Sequence, residues 1–402
     1  MKEEPKKKAV ILLGAGFAIP YCAPSSSYLL AVIKRDCVQL AEILQVVIRT
    51  LDNYFGKGNY SFETVIAVVE SLAVYYTSKR ITIGRTAMDC SYMPACFTIS
   101  RKILCRCSQL LKNNDNAYRN LVQLYYWLIK RICIRVFSYD NCEVSSTNAM
   151  FAPLKKYVEN LKNKGYNLKF YSLNYDRLIP RIFGNEVDES LVEPVPEDIS
   201  FDFQEYIAMD CREMELSSRC EVENPDAKRI DFKYDIKEFC LHSFTHFNLH
   251  GSRYLTFDMV KHKLVFTLNG WFGVPWGRIE SEGGNPSEPL FLSPIIVGQS
   301  KTQRSFTQPF KFGFDAFSFD CSTCDALFTF GYSFRDPHIN SIMRTYIRPN
   351  SIPIEIVVKG EKNFVNHYDY PWFYHTDNKD KISIHTNGME DYFLSEKYLE
   401  II

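Results

Sequence analysis

The chain has 402 residues, which is enough for one large α/β core or for two domains. Its 47 basic and 47 acidic residues balance, so neither an electrostatic nucleic-acid binder nor a polybasic membrane anchor is indicated. The 13 cysteines are odd in number and follow no regular spacing, which favours reduced thiols in a cytoplasmic protein. No apolar run approaches the length of a membrane span, and we expect no membrane partner.

The first strong pattern is an apolar run that ends at two glycines, within residues 9–17. The run predicts a strand buried on both faces, as in a parallel sheet. Gly14 and Gly16 allow a tight turn and a close approach of backbone N–H groups to a ligand. A strand, a glycine turn and a helix are the usual start of a nucleotide-binding α/β domain.

The next part of the chain has the spacing of amphipathic helices. Apolar residues recur every three or four positions in residues 29–33, 38–51, 62–72 and 118–132. Residues 81–93, which lie between two of these patterns, read as irregular or as a short hairpin. We therefore predict a helical insertion over residues 37–165.

Short apolar runs return after this region. The strands that they predict lie in residues 168–173, 247–249, 264–268, 290–297, 327–330, 354–358 and 382–384. Helices are predicted over residues 310–319 and from Asp336 and Pro337 onward, whereas residues 184–235 read as loops and small strands. This alternation predicts an α/β fold, a Rossmann-like parallel sheet built from residues 8–36 and 166–402 with the helical insertion beside it.

Several predicted strands end in small polar groups. These groups are Gly14-Ala15-Gly16, Asn174-Tyr175-Asp176, His250-Gly251 and Gly331-Tyr332-Ser333. In an open parallel sheet the carboxyl ends of the strands lie along one edge, where ligands bind in a crevice. The sequence therefore predicts that these groups converge on one site.

The motifs, taken in this order, resemble the sirtuin (SIR2-like) superfamily. They are Gly-Ala-Gly-Phe at 14–17, Ser-Leu-Asn-Tyr-Asp at 172–176, Leu-His-Gly-Ser at 249–252, and Phe-Gly-Tyr-Ser-Phe followed by Asp, His, Ile and Asn within 330–340. The set is most similar to the SIR2-like NAD-hydrolysing effectors of bacterial anti-phage defence. The resemblance implies an NAD+ glycohydrolase that makes nicotinamide and ADP-ribose and depletes NAD+ in abortive infection.

The resemblance also implies roles for individual residues. His250 would accept a proton and Asn174 would position water or the nicotinamide ribose. The residues that it places against NAD+, the substrate, are Gly14, Ala15, Gly16, Phe17, Asp176, Gly331 and Ser333.

The residue types leave other interpretations open. His250 can be a buried histidine bonded to a backbone carbonyl, Asn174 a turn residue, and Asp176 a cap of the following helix. Asp336 reads as a plain N-cap, and the spacing of His338 and Asn340 suggests a structural role.

We expect no metal. Cys321 and Cys324 form one Cys-x-x-Cys pair, whereas protein-deacylating sirtuins carry two pairs for a structural zinc, and one pair cannot complete a tetrahedral site. His242, His246 and His250 would align like metal ligands on a helix, but their neighbours suit a strand better.

Two other functions and the mode of control stay open at this point. The rival functions are a sirtuin-type protein deacylase and a non-catalytic NAD or ADP-ribose binding module. Control is expected from a homo-oligomer or from a partner protein. The aromatic residues of the insertion either form that docking surface or fill its junction with the sheet: Tyr75, Tyr76, Tyr125, Tyr126 and Trp127.

Overall fold

The structure is a computed structural model. It describes residues 7–21, 23–36, 41–78, 101–111, 117–140, 151–183, 229–230, 236–252, 255–258, 263–267, 295–297, 301, 305–306, 309–347, 352–360 and 381–395. The predicted irregular segment 81–93 and most of 184–235 lie outside these residues, as does most of the strand predicted over 290–297.

The strands of the described residues are short and lie mainly in the second half of the chain. They are β1 (Lys7–Leu13), β2 (Tyr166–Ser172), β3 (Arg229–Ile230), β4 (Phe244–Asn248), β5 (Leu255–Asp258), β6 (Lys263–Thr267), β7 (Ala326–Phe330), β8 (Ile354–Val357) and β9 (Ile382–His385).

The helices separate and flank these strands. They are α1 (Ala15–Ala18), α2 (Ser26–Asp36), α3 (Ala41–Phe55), α4 (Phe62–Ser78), α5 (Arg101–Leu111), α6 (Ala117–Asp140), α7 (Phe151–Asn163), α8 (Leu178–Phe183), α9 (Ile236–Leu241), α10 (Phe310–Thr323), α11 (Pro337–Tyr346) and α12 (Met389–Leu394). Most of the helix and strand predictions are therefore confirmed, although β4 begins three residues before the predicted strand.

The main sheet has six strands, all parallel, in the order β4-β2-β1-β7-β8-β9. Leu13 pairs with Ser172 on one side and with Phe330 on the other, so the carboxyl ends of β1, β2 and β7 are level. This confirms the predicted α/β fold with a parallel sheet. A second sheet pairs β3, β6 and β5 antiparallel.

Helices cover both faces of the six-stranded sheet. Because side chains alternate along a strand, Val10 and Leu12 of β1 face the layer that contains α10 and α11. Ile11 and Leu13 face the opposite layer, with α7, α8 and α12. Coverage on both faces explains why β1 is a continuous apolar run, since neither face of the strand is left to water.

Helices α2 to α6 share a third hydrophobic core. Leu30, Leu44, Val68, Leu104 and Leu128 represent the five helices in this cluster, which we call the helical core. By contrast, α7 packs on β2 and belongs to a sheet layer. The division into a catalytic core and an insertion over residues 37–165 stays a prediction.

The aromatic residues of α6 contribute to this helical core. Tyr125 and Tyr126 are buried there, and Trp127 is half-buried against it. These two tyrosines therefore pack the protein interior and are not part of an exposed docking surface. The side chains of Tyr75 and Tyr76 lie outside the described part of the chain.

One cysteine departs from the expectation of reduced thiols. Cys105 of α5 is disulfide-bonded. The other described cysteines are thiols: Cys107, Cys133, Cys240, Cys321 and Cys324. Sequence spacing did not reveal this bond, because disulfide partners are set by tertiary proximity.

Within the described residues, no single helix is both long and apolar enough to cross a membrane, and one bent pair of segments, residues 15–21 with 26–35, passes that test on length and composition.

Candidate functional site

Three glycines join the ends of β1 and β7. The N–H of Gly14 donates to the Phe330 carbonyl at 2.9 Å, and the N–H of Gly16 donates to the Gly331 carbonyl at 3.0 Å. A Cβ atom on Gly14 would lie 2.5 Å from the Gly331 carbonyl oxygen, and one on Gly331 would lie 2.1 Å from the Phe17 nitrogen. The missing side chains therefore allow the turn after β1 and the turn after β7 to pack closely against each other.

The remaining residues of these two turns differ in exposure. Ala15 and Ser333 are exposed at the turns. Phe17 is buried in the sheet layer, where its ring lies 5.5 Å from that of Tyr21. Of the three side chains predicted to contact NAD+ here, those of Ala15 and Ser333 are accessible and that of Phe17 packs in the core.

Asn174 ties the end of β2 to the glycine turn. Its side-chain amide Nδ2 donates to the Gly14 carbonyl at 3.1 Å, and its backbone N–H donates to the Ser172 hydroxyl. The amide is buried at the carboxyl edge of the sheet. This contact joins two of the predicted motifs directly.

Asn248, at the end of β4, is a site residue that the sequence reasoning missed. Its Nδ2 donates to the backbone carbonyls of Asn174 at 2.9 Å and of Asp176 at 2.6 Å. It therefore shapes the turn after β2 from the neighbouring strand. A polar residue two positions before His250, at the end of an apolar strand, was the available signal.

Asp176 acts as a helix cap in this structure. Its Oδ1 accepts the backbone N–H of Leu178, the first residue of α8, at 3.0 Å. The carboxylate is buried. The capping interpretation is thus observed, and a contact with NAD+ stays a proposal.

His250 lies just beyond β4 and is 2% exposed. Its carbonyl accepts the N–H of Ile296 at 2.7 Å, which fixes the backbone beside it. Its Nε2 lies 3.1 Å from Nε2 of His338 on α11, a hydrogen-bond distance. His338, whose spacing predicted only a structural role, therefore belongs to the site.

Both imidazoles are neutral at pH 7. Burial lowers the pKa of His250 well below its usual value, and the charge of Lys301 lowers it further. Burial likewise lowers the pKa of His338 to about 4. A neutral imidazole offers one N–H donor and one lone pair.

A chain of charges runs past this pair. Nζ of Lys301 lies 2.9 Å from Oδ1 of Asp336 and 2.8 Å from Oε2 of Glu63, which belongs to α4 in the helical core. Burial favours a neutral amine, but the two carboxylates outweigh it and raise the pKa of Lys301. Burial would raise the pKa of Asp336, yet the charge and the hydrogen bond of Lys301, together with the two histidines, outweigh that effect and lower it to about 2.

The prediction for Asp336 is only half right. Asp336 occupies the N-cap position of α11 and Pro337 follows at the first turn, but the Asp336 side chain makes no capping hydrogen bond. Its carboxylate faces Lys301 instead. Asn340 is structural, as predicted, because it accepts from the Tyr332 hydroxyl and donates to the Phe334 carbonyl.

His250, Asp336 and His338 also form the one group of potential metal ligands found among the described residues. Their donor atoms all lie within 4.8 Å of one another. However, the Lys301 ammonium already pairs with Asp336, and a buried cation at this point repels a divalent ion. The donor set therefore fits a metal poorly, and the expectation of no metal stays a prediction.

The two other candidate metal sites are the Cys321–Cys324 pair and the set of His242, His246 and His250, and neither is arranged to bind a metal. Cys321 and Cys324 lie in the hydrophobic layer around α10, where burial raises the pKa of Cys321 well above its usual value and that of Cys324 to about 12. The pair supplies only two of the four ligands of a tetrahedral zinc site. His246 lies within β4, so His242, His246 and His250 do not share a helix, as predicted.

The carboxyl edge of the sheet offers two neutral imidazoles, of which His250 is buried and His338 half-buried, and the buried amide of Asn174. The imidazole pair can accept one proton, and the amide can hold a hydroxyl or a water. Comparison of the chain with models of known protein families found no matching family, and comparison with curated proteins found no relative.

Proposed function

We propose that this protein is a SIR2-like NAD+ glycohydrolase, which cleaves NAD+ to nicotinamide and ADP-ribose. The observation that supports it is the contact between motifs that lie far apart in the chain. Gly14 bonds to Phe330 and to Asn174, and Asn248, two residues before His250, bonds to the turn at Asn174. The resemblance requires these motifs to form one site.

The topology of the sheet agrees with this proposal. Numbered by their order in the chain, the six strands run 3-2-1-4-5-6 across the sheet. This is the usual order of Rossmann-type dinucleotide-binding sheets, which bind their ligand where the strand order reverses. Here the reversal falls between β1 and β7, where Gly14, Gly16 and Gly331 lie. A Rossmann-like description of the core is therefore part of the proposal.

The proposed reaction requires the protein to orient the ribose, to accept one proton and to position the attacking water. Cleavage of the bond between nicotinamide and ribose passes through a cationic, oxocarbenium-like ribose, which is stabilised by orientation and by its surroundings. A neutral histidine takes a proton from the attacking water or from a ribose hydroxyl. Asn174 positions that water or the ribose, and the turns at Ala15 and Ser333 face the rest of the dinucleotide.

The direct test is to incubate the purified protein with NAD+ and to separate the products by chromatography. We predict that His250→Ala and Asn174→Ala each lose nearly all cleavage, because loss of a general base alone typically costs ~10²–10⁴-fold. Asn59→Ala is the matched control, since Asn59 lies in the exposed turn before α4. Near-normal turnover in His250→Ala would contradict the assignment of this site.

The same assay separates the two rival functions. Turnover only in the presence of an acylated peptide would indicate a deacylase. Binding of NAD+ by calorimetry without any product would indicate a binding module. Free ADP-ribose from NAD+ alone supports the hydrolase.

The proposed biological role, depletion of NAD+ in abortive infection, comes from the resemblance of the motifs. Such an enzyme needs restraint in the cell that makes it, and we propose control by a homo-oligomer or by a partner protein. The described residues form the sheet, its two helical layers and the helical core, and none of these parts reads as a separate sensor domain.

A further inference from the structure

The carboxyl edge of the main sheet has two halves, which meet at the glycine turns. His250 follows β4 and belongs to the half formed by β1, β2 and β4. In the other half, Phe330 of β7 pairs with Val357 of β8, and Val357 pairs with His385 of β9, so these three strands end level with one another. Phe330 also pairs with Leu13 of β1, which puts both halves on the same edge. A doubly wound sheet binds one mononucleotide of a dinucleotide in each half.

Strands β7 and β8 and the helix α11 between them form a strand–helix–strand unit with a glycine turn of its own at Gly331. In dinucleotide-binding units, a residue beyond the glycine turn contacts the adenosine ribose. An acidic residue there binds the 2′-hydroxyl of NAD+, whereas a basic residue nearby accommodates the 2′-phosphate of NADP+. The first charged residue after β8 in this chain is basic, Lys359.

The backbone around Lys359 is held in place, and its side chain reaches solvent. Lys359 pairs with Asn387 in an isolated bridge, and the N–H of Gly360 donates to the Thr386 carbonyl at 3.2 Å. A Cβ atom on Gly388 would lie 3.3 Å from Cβ of Lys359 and 3.5 Å from its Cγ and Cδ, so the stem of the lysine lies against that glycine. The lysine is exposed, and it forms no ion pair with the described residues.

The other charged groups of this region differ from Lys359 in their surroundings. The ammonium of Lys301 is already paired with two carboxylates. Arg335, in the turn after β7, is exposed and has no ion pair within the described part of the chain. The acidic residues near the end of β9 are Glu390 and Asp391 of α12, and neither pairs with Lys359. Two cations of the second half are therefore open to a phosphate group.

We propose that Lys359 is a specificity-determining residue that binds the 2′-phosphate of NADP+, and that the protein cleaves NADP+ in preference to NAD+. This inference rests on the proposed glycohydrolase activity and specifies its substrate. The nicotinamide nucleotide lies against Asn174 and His250, and the adenosine nucleotide lies in the half of β7, β8 and β9. Three strand spacings of ~4.8 Å separate the end of β2 from that of β8, which is within the length of an extended dinucleotide.

The reaction is the same hydrolysis with a phosphorylated substrate. The bond between the ribose carbon and the nicotinamide nitrogen breaks, and its electron pair leaves with nicotinamide. The oxygen of water bonds to that carbon, and its proton passes to His250 and then to solvent. The products are nicotinamide and 2′-phospho-ADP-ribose. Lys359 takes no part in these bond changes and acts by binding one substrate more strongly than the other.

The test measures the ratio of kcat/KM for NADP+ to kcat/KM for NAD+. We expect a ratio above one in the wild type. Lys359→Gln should lower it by about tenfold, because a hydrogen bond between two charged groups is lost. Lys359→Glu should lower it further by repelling the phosphate, whereas Lys359→Arg should keep it. Lys57→Gln is the matched control, since Lys57 is exposed in the turn after α3, and it should keep the wild-type ratio.

A second measurement does not depend on turnover. Calorimetry of the wild-type protein with ADP-ribose and with 2′-phospho-ADP-ribose should show tighter binding of the phosphorylated ligand. The difference should shrink in Lys359→Gln, and also at high salt, because an exposed ammonium is screened. Equal binding of the two ligands, or a difference that Lys359→Gln leaves unchanged, would overturn the proposal.

The outcomes also separate this inference from the proposed function. A wild type that cleaves NAD+ better than NADP+ refutes the inference and leaves the hydrolase. A wild type that cleaves neither dinucleotide refutes the hydrolase and the preference for cleaving NADP+. Calorimetry then still decides whether Lys359 binds the 2′-phosphate. A ratio above one that is the same in Lys359→Gln would place the 2′-phosphate elsewhere and refute the role of Lys359.

Discussion

At the scale of single residues, the site combines two neutral histidines with an ion pair. The carboxylate of Asp336 does not hold a histidine in its charged form, because it is paired with the Lys301 ammonium at 2.9 Å. Burial is the main reason that both imidazoles stay uncharged well below the pH at which an exposed histidine protonates. In the unfolded chain the same histidines titrate normally. Acid therefore lowers the free energy of unfolding mainly by protonating them in the unfolded state.

This gives a prediction for stability against pH. The pKa of His338 is about 4 in the folded protein and about 6.5 in the unfolded chain, so between these values the unfolded state binds more protons. The contribution of neutral His338 to the free energy of unfolding is fully present above pH 6.5 and is lost as the pH falls toward 4. We expect the free energy of unfolding to fall by as much as about 1.4 kcal/mol per pH unit for this group.

Urea unfolding between pH 4.5 and pH 7 measures this slope. His338→Gln removes one titrating group and should show a shallower slope than the wild type. The variant leaves Lys301 and Asp336 in place, and Asp336 titrates near pH 2, below the range. Equal slopes in the two proteins would contradict the lowered pKa of His338.

At the scale of elements, the turns after β1 and β7 depend on each other. Gly331 has a φ of +62°, and a Cβ there would meet the backbone of Gly16 and Phe17. Neither turn can therefore take a side chain at its glycine without moving the other. The glycine pattern that indicated nucleotide binding is also what lets two parallel strands end side by side.

We predict that Gly331→Ala strongly lowers the thermal unfolding temperature. The left-handed backbone alone costs roughly 1–2 kcal/mol, and the clash with backbone atoms adds to it. Gly58→Ala is the matched control, because Gly58 has a φ of +79° but nothing within 4 Å of its Cβ position. Similar unfolding temperatures for the two variants would show that the turn relaxes and that the contact with β1 is not tight.

At the scale of the whole molecule, one charged contact connects the helical core to the site. Glu63 of α4 and Asp336 beside α11 share the Lys301 ammonium. The hydroxyl of Tyr175, whose ring lies in the helical core, also donates to the carbonyl of Ile296, the residue whose own N–H donates to the His250 carbonyl. The helices therefore help to set the surroundings of the imidazole pair.

We predict that Lys301→Met destabilises the protein and raises the pKa of His338. It leaves the part-buried Asp336 without its cation. Breaking a fully buried pair in this way costs about 3–5 kcal/mol, so we expect a loss below that range for this pair. The unpaired carboxylate then favours the charged form of His338. Chemical unfolding and NMR titration of His338 measure the two effects.

Glu63→Gln is the control variant, because the ion pair between Asp336 and Lys301 remains. We expect the pKa of His338 in this variant to stay close to that of the wild type. An unchanged pKa in Lys301→Met would show that this charge chain does not influence the site.

The sequence by itself determined the parallel α/β architecture and the motifs that end its strands. Continuous apolar runs such as residues 9–13 predict strands buried on both faces, and glycine or a small polar residue marks where each strand stops. Such patterns are local, and the parallel arrangement then places the ends of these strands along one edge.

Only the tertiary structure decided which side chains face each other at that edge. His338 and His250 lie 88 positions apart, and Lys301 joins Glu63 to Asp336 from three separate segments. Helical spacing made His338 read as structural, and the N-cap position of Asp336 concealed its ion pair. Contacts between distant segments depend on the order of the strands and on the layering of the helices, which no local pattern contains.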